Sequence, residues 1–222
     1  MKLRTPGAES SPRSVSTRWG HGERALGREV VWVGFLSIAL AVLLQLVQIV
    51  AIFAAGADYG LPKVFRDGLL KLPWAVLVCV SLWIAIRMGR NRIRIAAVVG
   101  LLAAPVASLL ARACAELAHA YMAAAAPAPS PSAFLVAALK GAEYASLALV
   151  VTWLQGRVWA AALHHALAGF LVGLLFGGAL LVLIVRFTSE PVTMATLLAW
   201  AVNELLFPVG CALILSSARP HR

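Results

Sequence analysis

The sequence predicts an all-α protein, a polytopic membrane helix bundle of six transmembrane helices with both ends in the cytoplasm. Hydrophobic residues make up 62% of its 222 residues, and charged residues only 13%. Ordinary soluble domains contain about a quarter charged residues. A soluble chain of this size could not bury so much apolar surface in one core, whereas lipid can act as its solvent.

Six apolar runs determine the number of helices. They follow a polar leader, residues 1–28, and form a transmembrane domain of residues 29–218. The predicted spans are residues 30–55, 69–86, 95–121, 134–154, 158–185 and 192–216. Each approaches or exceeds the roughly 20 residues that cross a bilayer core. Pro73 is expected in the first turn of the second span, where its missing N–H costs little.

The basic residues predict the orientation, because cytoplasmic loops are enriched in Lys and Arg. With the leader inside, thirteen basic residues face the cytoplasm: six in the leader, four in the second loop, Arg157 and two near the C-terminus. Four lie outside, namely Lys63, Arg66, Lys71 and Arg186. The leader contains no apolar run, so we expect it to stay on the protein as a basic cytoplasmic tail. The expected location is a bacterial inner membrane.

Polar and ionisable groups inside the spans are the first candidates for function, because each is costly at membrane depth. The candidates are Arg112, Glu116, Lys140, Glu143, His164, His165, Asn203 and Glu204. Arg112 shares a helix face with Glu116, and Lys140 with Glu143. The third helix ends where the fourth begins, so we expect both pairs near the outer surface, where Arg112 could pair with Glu143. The leading interpretation is a charge-neutral clamp between these helices.

His164 and His165 are adjacent, so their side chains point about 100° apart on a helix. They cannot easily share a metal ion, and the H-E-x-x-H spacing is absent. Three interpretations stay open: a packing histidine that pairs with Glu204 or Glu143, a proton-linked sensor, or a metal ligand. We expect neither a metal nor a cofactor.

The three cysteines fall in three separate apolar runs. They are Cys79, Cys114 and Cys211, and none has a partner at metal-ligand or redox-motif spacing. We therefore expect buried thiols within the helices.

A small-residue face is predicted on the fifth helix. Gly169, Gly173 and Gly177 recur at every fourth position. Such G-x-x-x-G patterns are typical of close helix packing. The pattern leaves open whether the facing helix belongs to the same chain or to a second copy.

The segment from Asn203 to Cys211 is the most distinctive stretch. Glu204 is expected near the bilayer midplane, where desolvation favours a neutral carboxyl group over a bare charge. Pro208 leaves the carbonyl of Glu204 without its helical hydrogen bond, so a kink is expected there. The leading interpretation is an interhelical hydrogen bond at that kink.

Three classes of function fit these features. The first is a regulator, because a basic tail on a bundle with short loops suits recruitment of a cytoplasmic partner. The second is an intramembrane hydrolase similar to abortive-infection-type proteases, although their paired E-E motif is missing. Its candidate residues are Glu143, His164, His165, Asn203 and Glu204. The third is a small transporter, against which the lack of an internal repeat counts.

Over its whole length the chain resembles the carotenogenesis regulators, membrane anti-sigma factors of the myxobacterial light response. The resemblance lies in chain length, the basic tail around Arg13–Arg28, the six apolar runs and an Ala/Val/Leu/Arg-rich composition. It implies a non-enzymatic negative regulator that sequesters an extracytoplasmic-function-type sigma factor in the dark. Light-generated singlet oxygen would lead to its inactivation and to transcription of carotenoid genes. The zinc-binding H-x-x-x-C-x-x-C motif of many soluble-domain anti-sigma factors is absent.

If the resemblance holds, the tail is the natural contact for the sigma factor. The candidate partner-binding residues are Arg13, Arg18, Arg24 and Arg28. The expected partners are this sigma factor and membrane lipid, without direct contact to nucleic acid. Orientation and attraction to anionic lipid are a second explanation of the same charge.

Overall fold

A computed structural model describes residues 19–56, 60–88, 91–122, 133–187 and 193–217 of the chain. These residues form six long helices and contain no strand. The helices are α1 (Trp19–Ala54), α2 (Leu61–Arg87), α3 (Arg92–Met122), α4 (Ala133–Gln155), α5 (Ala162–Phe187) and α6 (Met194–Ser216). Each is long and apolar enough to cross a membrane. The predicted all-α six-helix membrane bundle is confirmed.

The second helix begins earlier than the sequence predicted. It starts at Leu61, with a proline in its first turn that needs no intrahelical N–H partner. The prediction that Pro73 lies in the first turn is therefore wrong, because Pro73 is in the helix interior. Lys71, which was predicted in the outer loop, lies in α2. With Lys71 left out of the count of outer residues, basic residues still predominate on the cytoplasmic side.

The fifth helix begins later than predicted, at Ala162. Residues 156–161 form consecutive turns instead, with the amide of Gly156 donating to Trp153 O at 3.1 Å and that of Ala160 to Arg157 O at 3.3 Å. The predicted spans left only residues 155–157 as the connection, and this prediction is wrong because the connection comprises residues 156–161. A Gly in the turn and the exposed, charged Arg157 favour a chain reversal at the membrane surface over continued helix.

Helix ends in the described chain carry their expected local signals. Thr193 caps α6, because its side-chain oxygen accepts from the amide of Thr196 at 3.3 Å. Gly56 follows α1 with a φ of +70°, and its amide donates to Phe53 O at 2.9 Å. This left-handed conformation favours glycine and ends the helix.

The helices pack in chain order, and α6 closes the bundle. Neighbouring helices α1 to α4 pack pairwise, whereas α6 contacts α5, α1, α4 and α2. The core contains Trp83, Tyr144 and Leu215, all almost completely buried. Because α6 touches four other helices, any polar group on its inner face meets the interior of the bundle.

Glycine also determines the separation of α3 and α4. A Cβ on Gly100 would lie 2.5 Å from Tyr144 O, and one on Gly141 would lie 2.8 Å from Leu101 O. Both distances are shorter than any normal contact, so these two backbones touch directly. No periodic pattern of small residues predicts this contact, because each helix contains a single glycine.

The bundle end that holds the tail is marked by ionic and aromatic contacts. Arg87 at the end of α2 pairs with Glu29 of α1, and its guanidinium lies 5.1 Å from the centre of the Trp83 ring. At the same end, Arg157 lies 4.7 Å above the ring of Trp153. Tryptophan and basic side chains are typical of the water–membrane boundary.

Candidate functional site between α4 and α6

Three ionisable side chains meet between α4 and α6, and we call them the charged triad. They are Lys140 and Glu143 of α4 and Glu204 of α6. The ammonium of Lys140 donates to Glu143 Oε2 at 2.8 Å and also to Glu204 Oε2. The predicted Lys140–Glu143 pair is therefore confirmed, and the third member comes from a helix 60 residues away in sequence.

The charged triad is buried among aromatic rings. Glu143 is 1% exposed, and Lys140 and Glu204 are also buried. The ring of Tyr144 lies 5.8 Å from the Lys140 ammonium and stacks edge-on against Trp74 and Phe207, at 6.1 and 5.9 Å. Removing one member of a buried ion pair leaves a charge without compensation, which is strongly destabilising. The aromatic shell makes that penalty larger, because it keeps water away.

The two carboxyl groups of the charged triad are not equivalent. Glu204 has the Lys140 ammonium on one oxygen and the amide nitrogen of Asn203 at 3.5 Å from the other. Glu143 has Lys140 on Oε2, while its buried Oε1 has no hydrogen-bond partner among the described residues. A buried oxygen without a partner carries the full cost of desolvation.

The charged triad lies deeper in the membrane than predicted for Lys140 and Glu143. Glu143 is near the middle of the span Phe134–Gln155, and Glu204 near the middle of Thr196–Ser216. The prediction of an outer-surface location is wrong for this pair, because Glu143 lies nine residues after Phe134, roughly 13 Å into the span.

Arg112 and Glu116 do not share the depth of the charged triad. Gly100 lies against Tyr144, so the backbone of Arg112 is roughly 18 Å further along α3 at 1.5 Å per residue. That separation argues against the expected pairing of Arg112 with Glu143. Glu116 is exposed, and the side chain of Arg112 lies outside the described part of the chain.

The glycine face of α5 packs against α6 of the same chain. A Cβ on Gly169 would lie 2.5 Å from Pro208 O, and one on Gly173 would lie 2.8 Å from Glu204 O. A Cβ on Gly177 would lie 2.7 Å from the Cβ of Glu204. The question that the G-x-x-x-G pattern left open is therefore answered, since the facing helix is α6.

This contact coincides with two irregularities in the helices. Residues Gly173–Gly177 form a π-helical turn inside α5, opposite Glu204. Pro208 cannot donate to the carbonyl of Glu204, and that carbonyl lies against the glycine face. Single π-helical turns are frequently found at functional sites. The backbone next to the charged triad is therefore irregular on both sides.

The two histidines lie apart from the charged triad, in the first turn of α5. His164 Nδ1 accepts from the amide of Ala161 at 3.1 Å, and His165 Nδ1 lies 3.0 Å from Ala161 O. Gly169 marks the level of Pro208, so His165 is about two turns, or roughly 12 Å, from Glu204 along the axis. The expected pairing of a histidine with Glu204 or Glu143 is not formed. His165 is fully buried, and its Nε2 has no partner in the described chain.

Two further polar contacts were missed from the sequence. The ammonium of Lys71 on α2 donates to Gln45 Oε1 at 2.7 Å and to Gln48, both on α1. Cys79 of α2 and Cys211 of α6 are completely buried, and their thiols interact across the helix interface. Lys71 is 26 residues from Gln45, and Cys79 is 132 residues from Cys211. Residues so far apart in sequence form no local motif from which these contacts could be predicted. The predicted burial is confirmed for these two thiols, whereas it is wrong for Cys114, which is only partly buried.

Half of the candidate partner-binding residues lie on the described helix α1. Arg28 is exposed, and Arg24 belongs to its first turns, although the side chain of Arg24 is not described. Arg13 and Arg18 lie outside the described residues. The membrane-spanning part of α1 begins at Leu26, so the helix continues beyond the span into the basic tail.

The site, taken with the fold, defines a class of protein: a polytopic membrane helix bundle with an ion-paired core. Among the described residues, no group of three or more His, Cys, Asp or Glu side chains is arranged to hold a metal ion. Comparison with protein-family models, with characterised proteins and with solved structures finds no match.

Proposed function

We propose that the protein is a negative regulator of transcription in a bacterial inner membrane, which sequesters a sigma factor through its basic tail. The resemblance to the carotenogenesis regulators supports an extracytoplasmic-function-type sigma factor as the partner. It also supports light-generated singlet oxygen as the inactivating signal and carotenoid genes as the target. In this role the protein is not an enzyme, and it needs no cofactor.

The observation that carries this proposal is the continuity of α1 with the tail. The helix begins at Trp19, seven residues before the apolar span that starts at Leu26. Arg24 and Arg28 lie on this junction. A partner bound at Arg24 and Arg28 is therefore attached to a helix that continues directly into the membrane span.

The base of that helix is fixed to the rest of the bundle. Glu29 pairs with Arg87 at the end of α2, and Val33, one turn further along α1, is 1% exposed. A change in the packing of α2 can therefore change the position of the tail. This mechanical connection is what a membrane regulator of a cytoplasmic partner requires.

The arrangement of the polar groups favours a regulator over a hydrolase. A glutamate–histidine hydrolase needs its acid or base within hydrogen-bond reach of the nucleophile or water. Here the histidines are about 12 Å from Glu204 along the bundle axis, and Lys140 already occupies the space between the two carboxyl groups.

Substitutions in the tail test this proposal. Arg24→Ala/Arg28→Ala is expected to reduce retention of a co-expressed extracytoplasmic-function sigma factor in the membrane fraction by about tenfold, since two ionic contacts of about 0.7 kcal/mol each are lost. Quantitative immunoblotting of membrane and soluble fractions measures the retention, at equal levels of the membrane protein.

The matched control is Arg92→Ala/Arg94→Ala, which removes two exposed basic residues from the same side of the bundle. We expect this control to retain the sigma factor. Equal loss in both variants would identify nonspecific attraction by positive charge, and no retention by the wild-type chain would contradict the proposal.

A further inference from the structure

The charged triad has an imbalance of charge that the regulator proposal does not use. One ammonium group, on Lys140, lies between the carboxyl groups of Glu143 and Glu204. If both carboxyl groups were ionised, the triad would carry one net negative charge near the middle of the membrane. An uncompensated charge in this environment costs several kcal/mol, so buried groups take up or release a proton instead.

Among the side chains that the structure describes, the helices around the charged triad supply no second positive charge. The face of α3 between Gly100 and Pro105 contains no ionisable residue, and the face of α5 toward Glu204 consists of glycines. On α2, Lys71 is engaged with two glutamines of α1. Other ionisable neighbours are the phenol of Tyr144 and the thiols of Cys79 and Cys211, and neither a phenol nor a thiol can carry a positive charge.

A separate observation identifies which carboxyl group is neutral. Glu204 receives two polar contacts, from Lys140 and from Asn203. Glu143 is 1% exposed, receives only Lys140, and has an oxygen without a partner in the described chain. An unpaired oxygen is far less costly on a neutral carboxylic acid than on a carboxylate.

We propose that the charged triad is a proton-binding site that holds one proton on Glu143, with Lys140 and Glu204 as its ion pair. The site is then neutral overall, as required for a buried group at this depth. It does not depend on the tail or on the sigma factor. Ionisation of Glu143 would introduce a net negative charge between α4 and α6, beside the π-helical turn of α5.

Infrared spectroscopy of the full-length protein tests this proposal. A protonated carboxyl group gives a carbonyl band that a carboxylate lacks, and a maltoside detergent adds no ester carbonyl. At neutral pH we expect one buried carboxyl band in the wild type and two in Lys140→Met, since both glutamates then need a proton. Glu143→Gln and Glu204→Gln should each remove the band, because one carboxylate then balances Lys140.

Two further comparisons complete the test. Glu116→Gln is the matched control, because Glu116 is exposed, and it should leave the band unchanged. Glu143→Asp should move the band to the frequency of an aspartic acid, whereas Glu204→Asp should not move it. Only variants that are monodisperse and helical are compared with the wild type, so that a changed band does not reflect misfolding.

Three results would overturn the proposal that the charged triad binds a proton, and a fourth would overturn its assignment to Glu143. The first is a wild-type spectrum without a protonated carboxyl band at neutral pH, and the second is an unchanged band in Lys140→Met. The third is a band that appears only when sodium is exchanged for choline, because it would identify a sodium site in place of a proton site. A band moved by Glu204→Asp and not by Glu143→Asp would reject the assignment to Glu143.

Discussion

Replacing Lys140 by methionine is expected to lower the free energy of unfolding by about 3–5 kcal/mol, the usual cost of breaking a buried ion pair from one side. Methionine fills a similar volume, so the loss reflects the missing charge and not a cavity. Without the ammonium group, Glu204 must be buried as a bare carboxylate or take up a proton at neutral pH. Thermal or denaturant unfolding in detergent, followed by circular dichroism, measures the change.

Lys71→Met is the matched control for this substitution. Lys71 is also in a membrane-spanning helix, but its ammonium group donates to two glutamine side chains, its nearby carboxylate Asp67 is one turn away on the same helix, and it is only half-buried. We expect a smaller loss, of about 1–2 kcal/mol. Adding Glu204→Gln to Lys140→Met should recover most of the stability, since it removes the uncompensated carboxylate. If Lys140→Met and Lys71→Met lowered the free energy of unfolding equally, the charged triad would not be the polar contact that contributes most to stability.

Alanine at Gly169 or Gly173 is expected to destabilise the protein by about 1–3 kcal/mol, because the new methyl group overlaps the backbone of α6. The overlap is with Pro208 O and Glu204 O, both at less than 3 Å. Neither oxygen can move without shifting the whole helix. Unfolding in detergent measures the change in the free energy of unfolding. The loss from the overlap should outweigh the gain of about 1 kcal/mol in helix propensity that alanine brings over glycine.

Gly178 is the matched control for the glycine face. It is in the same helix, directly after the π-helical turn, and a Cβ there would meet nothing within 4 Å. Gly178→Ala should therefore be neutral or slightly stabilising, since alanine favours helix over glycine by about 1 kcal/mol. If Gly173→Ala and Gly178→Ala behave alike, the close contact between α5 and α6 is not present in solution.

The sequence was sufficient to predict the helices because lipid imposes a length and a composition on each span. It was less informative about helix ends. Leu61 and Ala162, where α2 and α5 begin, lie in segments whose composition is compatible with either helix or turn. The structure extends α2 through Lys71 because two glutamines of α1 satisfy its ammonium group, a contact that no local pattern reveals.

The candidate site was predictable residue by residue, but not as a set. The cost of charge in lipid identified Lys140, Glu143 and Glu204 separately. The three side chains come together only because α4 packs against α6. No local sequence pattern indicates that these two helices are in contact. The expected pairing of Arg112 with Glu143 assumed a common depth, and the packing of Gly100 against Tyr144 argues against that assumption. The glycine face was correctly predicted as a contact, although its partner became clear only when Pro208 was found opposite Gly169.

The position of the tail tests the central claim most directly, because only a cytoplasmic tail can hold a sigma factor. Ser14→Cys and Ala128→Cys, each combined with Cys114→Ala, place one reactive thiol in the tail and one in the third loop; Cys79 and Cys211 are buried. A membrane-impermeant maleimide is expected to label Ser14→Cys in inverted vesicles and not in spheroplasts, with the opposite result for Ala128→Cys. Labelling of Ser14→Cys in intact spheroplasts would contradict the account.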